Sequence, residues 1–166
     1  AEGKIESGDE KKLNALKGET MAVIALCQFD LTRCFGYPYT KDNGASLGAP
    51  LIDHLVGTYE NPSRSTVAQA YDFIIETLEE AVTLMSEEKN NGRMNKYAAR
   101  ALLARVYLYH NDNRKAFDMA EQLIKDVDAS GSYALYPHEK YVAAWSVETK
   151  FGSESFFEIA NSVDDT

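Results

Sequence analysis

The chain has 166 residues, 45% of them apolar and 26% charged, which is enough to close one ordinary globular core. Its 26 acidic residues against 17 basic ones leave a net charge of −9, a balance that repels phosphate backbones and anionic lipid and so disfavours nucleic-acid and membrane-surface binding. No apolar run approaches the roughly 18 residues that cross a bilayer. The longest, Met21 to Cys27, reads as a buried helical segment. The N-terminal residues lack the basic-then-apolar order of a signal peptide, so any export signal is expected upstream or already removed.

The first helix is expected to start at Ser7, because Ser7-Gly8-Asp9-Glu10 has the form of a capping box. Leu13, Leu16, Thr20, Val23, Cys27, Leu31 and Cys34 then recur every three or four residues, the period of one helical face. That stripe predicts the core side of the helix. Between Met21 and Phe29 nearly every position is apolar, which predicts enclosure on most sides. Two helical turns place Cys27 and Cys34 roughly 10 Å apart along the axis, beyond the ~7 Å Cα limit of a disulfide. They are expected to stay free, acting as small hydrophobes on the stripe. Gly36 and Pro38 end the helix.

Residues 36–65 form a long insertion punctuated by Gly36, Pro38, Gly44, Gly48, Pro50, Gly57 and Pro62. Compact domains rarely carry such a loop without purpose, so it is either a binding loop or a wrap that closes the helical core. Thr66-Val67-Ala68-Gln69 is a second capping box. Behind it, Val67, Ala70, Tyr71, Ile74, Ile75, Leu78, Ala81, Val82 and Met85 give an amphipathic helix, with Gln69, Asp72, Glu76, Glu79, Thr83 and Glu87 opposite. Asn90-Asn91-Gly92 is the expected stop.

Asn95 can cap a third helix whose stripe is Ala99, Leu102, Leu103, Val106 and Tyr107, with Ala98, Ala101 and Ala104 as small close-approach positions. After a polar turn at Asn111 to Asn113, a fourth helix carries Ala116, Phe117, Ala120, Leu123, Ile124 and Val127 and ends at Gly131. Tyr133 to Trp145 is mixed and aromatic, and Phe156-Phe157-Glu158-Ile159 is expected as a short extended piece. The expected fold is one all-α domain over residues 1–166, with about four main helices in antiparallel pairs, long loops and little β.

Leu103-Ala104, Tyr107 and Ala116 resemble one tetratricopeptide unit over about residues 97–130. Arg100 stands where that unit usually has Trp, Leu123 at a late Ala and Asp128 at the closing Pro. More specifically, Ala25-Leu26-Cys27-Gln28-Phe29-Asp30-Leu31-Thr32-Arg33-Cys34-Phe35-Gly36-Tyr37-Pro38-Tyr39 resembles the first signature of the SusD/RagB family. Ile24 stands where the family usually has Arg. Leu47-Gly48-Ala49-Pro50-Leu51, Ser63-Arg64-Ser65-Thr66-Val67, Asn95 to Leu108, Tyr133-Ala134-Leu135 and Glu154 to Ile159 resemble the elements that follow, in the same order. The resemblance implies a surface lipoprotein of the Bacteroidetes outer membrane that binds glycans without being an enzyme. It implies a TonB-dependent SusC-like transporter as partner, polysaccharide utilization and nutrient uptake as the setting, and no cofactor. Family members are longer. The resemblance therefore implies a segment of such a protein: its helical scaffold, with the lipid anchor and most glycan contacts in regions outside this chain.

Tyr37, Tyr39, Asp42 and Asn43 are the candidate ligand-binding residues, since rings stack on pyranose faces and polar side chains meet hydroxyls. The plainer reading is that Tyr37 and Tyr39 cover the helix end. Trp145 and Tyr141 could form another platform, although a lone Trp in a connecting segment more often plugs helix ends. His54, His110 and His138 lack partners at metal-ligand spacing, so no metal site is expected. Glu79-Glu80 and Glu87-Glu88 read as a solvated face rather than the converging pair that glycoside hydrolysis needs. No nucleophile stands beside a plausible base, and no catalytic residue is assigned. The alternative to a glycan-uptake scaffold is a soluble tetratricopeptide adaptor gripping protein segments in a concave groove.

Overall fold

The computed structural model describes residues 9–90, 92–145 and 151–159. Ser7 and Gly8 of the first expected capping box, and Asn91 of the expected helix stop, lie outside them. Helix α1 spans Glu10–Phe35, and the Asp9 side chain makes no cap hydrogen bond to it. The chain leaves at Gly36, which is extended and donates its N–H to the Thr32 carbonyl at 2.9 Å.

The buried face of α1 is Gly18, Ala22, Ala25, Gln28, Phe29 and Thr32. This corrects the expected core stripe. Leu13, Leu16, Val23 and Leu31 are exposed, Leu16 to 50%, and so are Cys27 and Cys34, which are free thiols. The physical reason is proximity. Small residues let α1 lie close against a second helix, so the Gly/Ala side faces the core and the larger aliphatic side faces away.

The 36–65 segment folds back onto the start of the second long helix. A 3-10 turn at Tyr39–Lys41 leads to β1, Leu47–Pro50, which pairs antiparallel with β2, Arg64–Thr66, through Leu47↔Thr66 and Pro50↔Arg64. The Arg64 guanidinium ties this hairpin to the end of α1, donating to the carbonyls of Gly48 (2.7 Å), Leu47 (3.0 Å) and Phe35 (3.1 Å).

Helix α2, Val67–Leu84, opens on the capping box at Thr66 and Gln69. Its first orphan donors are met from outside the helix, Val67 N–H by Ser46 O and Ala68 N–H by Gly44 O, each at 2.9 Å. The expected apolar stripe is its buried face. The helix stops at Met85, short of the expected Asn90–Gly92, because Met85 turns extended and its side chain is buried beside Gly18. Glu87 therefore lies past the helix rather than on its polar face.

Helix α3, Lys96–Tyr109, begins at Asn95, whose side chain accepts from Ala98 N–H at 3.1 Å. Ala99, Leu103 and Val106 are enclosed, whereas Ala101 and Ala104 are only partly buried. Helix α4, Asn113–Ser130, starts at Asp112 and ends at Gly131, whose φ of 62° is the left-handed conformation that favours glycine. Its stripe divides: Ala116, Leu123 and Val127 are buried, while Phe117 (59%) and Ile124 (62%) face outward.

The helices pack in sequence, α1 on α2, α2 on α3 and α3 on α4, around Phe29, Ile74, Leu78, Leu103 and Val106. A short turn at His138–Lys140 and α5, Tyr141–Ala144, follow. Residues 156–159 belong to no strand, contrary to the expected extended piece. Phe156 instead meets Tyr133 edge-on at 4.9 Å, and Tyr133 meets Tyr97 at 6.0 Å. The result is an all-α fold of stacked helices with one small hairpin.

The α1–α2 contact is tightest at Gly18. A Cβ there would stand 2.7 Å from Met85 Cγ and 2.9 Å from the Ala81 carbonyl oxygen. Helix propensity favours Ala over Gly by roughly 1 kcal/mol, but a backbone oxygen cannot swing aside as a side chain can, and overpacking costs ~1–3 kcal/mol. Gly18→Ala is thus expected to lower stability despite being the better helix former. A denaturant midpoint equal to or above that of the parent would contradict this contact.

Candidate functional site

Two of the four sequence candidates, Tyr37 and Tyr39, meet at the corner where α1 ends. Gly36 and Pro38 turn the chain so that Tyr37 and Tyr39 line a small cleft of about 120 Å³ together with Thr32, Arg33, Tyr71 and Tyr109. Tyr37 is 58% exposed, with the Lys41 ammonium 3.0 Å from its ring centroid. Tyr39 is half-buried, edge-on to Tyr71 at 5.7 Å and tilted against the His110 ring at 4.3 Å. One tyrosine offers a face; the other supports it.

Arg33 forms the charged wall of the cleft. Its guanidinium lies 4.8 Å from the Phe29 ring centroid and 5.5 Å from that of Tyr109. Hydrogen bonding to Asp30 holds it charged above its ordinary range. Burial pushes the Tyr71 phenol up to about 12, so that ring is a neutral hydroxyl donor at physiological pH. Sequence pattern alone gives Arg33 and Tyr109 no role in the site. Arg33 lies four residues after Phe29, a spacing that aligns side chains on a helix, but nothing in the sequence announces that Tyr109 returns to the same corner.

Asp42 and Asn43 do not line this cleft. They build the turn behind it. The Ser46 hydroxyl donates to Asp42 and holds its carboxyl below the usual range, while Asp42 Oδ1 is enclosed without a hydrogen-bond partner among the described residues. Asn43 has a φ of 55° and Gly44 one of 74°. Gly44 has no room for a side chain, since a Cβ would stand 2.7 Å from the Ala68 nitrogen and 2.8 Å from the Tyr39 ring. The turn that places Tyr39 is therefore the same turn that caps α2.

A second aromatic cleft, of about 490 Å³, opens among Tyr136, Tyr141, Trp145, Gly152, Glu154 and Glu158. Trp145 is 77% exposed and meets Tyr141 edge-on at 6.2 Å, so it is not the plug that a lone Trp suggested. Its carboxylates are already engaged. Glu158 accepts the N–H groups of Phe151 (2.7 Å) and Gly152 (3.0 Å), and Glu154 accepts that of Tyr136 (3.2 Å).

Each carboxylate of the Glu79-Glu80 and Glu87-Glu88 pairs that has a contact uses it structurally. Glu79 accepts from the Tyr107 hydroxyl at 2.5 Å, Glu80 pairs with Lys17 at 2.8 Å, and Glu87 stands 3.7 Å from Lys96. Burial, with Glu79 beside it, raises the Tyr107 phenol. Among the described residues no group of His, Cys, Asp and Glu is arranged to hold a metal ion. None of their helices is long and apolar enough to cross a membrane.

A SusD-like family model, described as "Starch-binding associating with outer membrane", matches residues 3–108. A solved SusD superfamily protein from Bacteroides vulgatus is 94% identical, with a TM-score of 0.93 over 99% of this chain and 37% of its own. A SusD superfamily protein from Bacteroides thetaiotaomicron is 41% identical, with a TM-score of 0.88 over 99% of this chain and 35% of its own. A SusD-like carbohydrate binding protein from Bacteroides vulgatus is 25% identical, with a TM-score of 0.79 over 96% of this chain and 33% of its own. No curated protein matches the chain. The chain thus spans about a third of the length of these solved structures.

One titratable cluster clips the 51–63 segment together. His54 Nδ1 lies 2.6 Å from Asp53 and Nε2 2.7 Å from Glu60, which also accepts Gly57 N–H at 3.1 Å. Asp53, then Glu60, raise the His54 pKa. Its hydrogen bond lowers that of Asp53, and the Gly57 N–H followed by His54 lowers that of Glu60. The raised histidine gives a contribution complete below its ordinary value and lost as pH rises through the folded one. The lowered carboxylates give one present above their ordinary values and lost on acidification. The clip therefore holds best between the carboxylate range and the ordinary histidine value, about pH 5 to 6.5. The Gly57 amide protection factor is expected to fall as pH rises above the ordinary histidine value of about 6.5. A flat profile would contradict the clip.

Proposed function

This chain belongs to the SusD-like family, and from that premise we propose that it is the helical scaffold of a longer, non-enzymatic glycan-binding protein of the outer membrane. The protein is anchored at the cell surface by a lipid attached outside these residues. One face of the scaffold docks a TonB-dependent SusC-like transporter, and most contacts to the oligosaccharide are made by regions beyond this chain. The observation that carries the reading is the family match over residues 3–108, which includes α1, the hairpin, α2 and most of α3.

The cleft at the end of α1 has chemistry that fits this role. Tyr37 offers an exposed ring for a pyranose face, and Lys41 and Arg33 stand beside it as donors to hydroxyls. Tyr39 belongs to the same site as a support that fixes the angle of the loop, and Asp42 and Asn43 contribute by shaping the turn. No step of bond breaking is assigned to any of these groups. Recognition needs only stacking and hydrogen bonding, which suits a protein that hands its ligand on unchanged.

Affinity electrophoresis of the full-length protein in native gels containing starch, laminarin or other neutral polysaccharides tests the reading. Retardation by at least one polysaccharide is expected, and Tyr37→Ala should weaken it. The expected loss is about 1 kcal/mol, roughly fivefold in Kd, with the melting temperature unchanged because the ring is exposed. Migration indifferent to every polysaccharide would overturn glycan binding. Retardation untouched by Tyr37→Ala would place the ligand elsewhere.

A further inference from the structure

The corner where α1 ends gathers positive charge in a chain whose net charge is −9. Arg33 lines the cleft, Lys41 lies against Tyr37, and Arg64 reaches the Phe35 carbonyl in the last turn of the helix. Arg33 pairs with Asp30, which does not line the cleft. The Lys41 ammonium is met by the Tyr37 ring, and the Arg64 guanidinium by the carbonyls of Phe35, Leu47 and Gly48. Among the described residues neither of these two cations is in a salt bridge. Asp42 accepts from Ser46 in the turn behind the cleft, with the Lys41 charge a weaker influence on it. The protein itself leaves an excess of cations here.

The two cations beside the cleft differ in kind, and together they select a counterpart. The Arg33 guanidinium rests on the Phe29 and Tyr109 rings, 4.8 and 5.5 Å from their centroids, which fixes its plane. Asp30 and Tyr109 occupy only part of its donor fork. A fixed planar fork matches a planar carboxylate better than it matches scattered hydroxyls. Lys41 is a point charge beside the exposed Tyr37 ring. A neutral sugar gains hydrogen bonds from such groups but no charge complementarity. We propose, on the basis of the glycan-binding role above, that this cleft takes an acidic sugar: a uronic acid unit whose ring stacks on Tyr37 and whose carboxylate is held by Lys41 and Arg33. Neutral units still stack on Tyr37, and the carboxylate adds to that contact.

Isothermal titration of the full-length protein with trigalacturonate and with its methyl ester tests the assignment, because the two differ in charge on the same rings. The acid is expected to bind about tenfold more tightly, as charge-assisted hydrogen bonds allow, and to lose that margin in high salt. Lys41→Gln should erase most of the difference. It should leave the ester's Kd and the melting temperature unchanged, since Lys41 is exposed and makes no salt bridge among the described residues. Equal affinity for acid and ester would overturn the acidic-sugar assignment, and so would a preference untouched by Lys41→Gln. Equally tight binding of dextran sulfate would also overturn it, as unspecific attraction of a polyanion. If starch or laminarin binds while both galacturonates fail, the acidic-sugar assignment falls and glycan binding stands. Failure of all of them would overturn the glycan-binding role itself.

Discussion

The architecture depends on how the first amides of α2 are satisfied. A helix begins with N–H groups that have no partner of their own, and leaving them enclosed without acceptors costs on the order of 1–3 kcal/mol each. Here the N-cap Thr66 hydroxyl serves Gln69, and the other two acceptors come from a distant stretch of chain: Ser46 O for Val67 and Gly44 O for Ala68. To deliver those two carbonyls the 36–65 segment must fold back as a hairpin, and Arg64 then fastens it to the last turn of α1. The same turn sets Tyr39 against Tyr71 and His110. Capping, hairpin and candidate cleft are consequences of one hydrogen-bonding requirement.

The second constraint is the close approach of α1 and α2. Gly18, Ala22 and Ala25 give α1 a flat inner face, so Met85 can lie beside Gly18 and end α2 there. The remaining helices continue the stack in order. Each end of the stack shows apolar side chains on its free side, Leu16 and Ile24 on α1 and Phe117 and Ile124 on α4. A stacked-helix fold presents such faces wherever a further layer belongs.

The legible parts of the chain were those governed by local rules. The Thr66–Gln69 capping box, the Asn95 cap, the αL Gly131 and the stripe of α2 follow from short-range chemistry and stand in the structure as the sequence implies. The buried face of α1 is not legible in the sequence because size is a poor guide when two apolar faces compete. Periodicity alone selects the bulky residues Leu13, Leu16, Val23 and Leu31, while helix–helix contact here selects the small ones. The end of α2 was misplaced because burial of Met85, a tertiary effect, stops the helix before the Asn/Gly punctuation does. Within the candidate site Tyr37 and Tyr39 were found from composition, but Arg33 and Tyr109 required the fold to bring the ends of α1 and α3 together.

The role proposed for this helical scaffold draws on a family described as starch-binding and associating with the outer membrane. Its most direct test is purification of the intact protein from its native cells by mild detergent extraction of isolated outer membranes. The account predicts that the protein is found in that fraction together with a TonB-dependent β-barrel transporter, and that both are retained on an immobilised polysaccharide. Recovery in the soluble fraction, without transporter and without retention, would contradict it and favour an adaptor built from the same helical units.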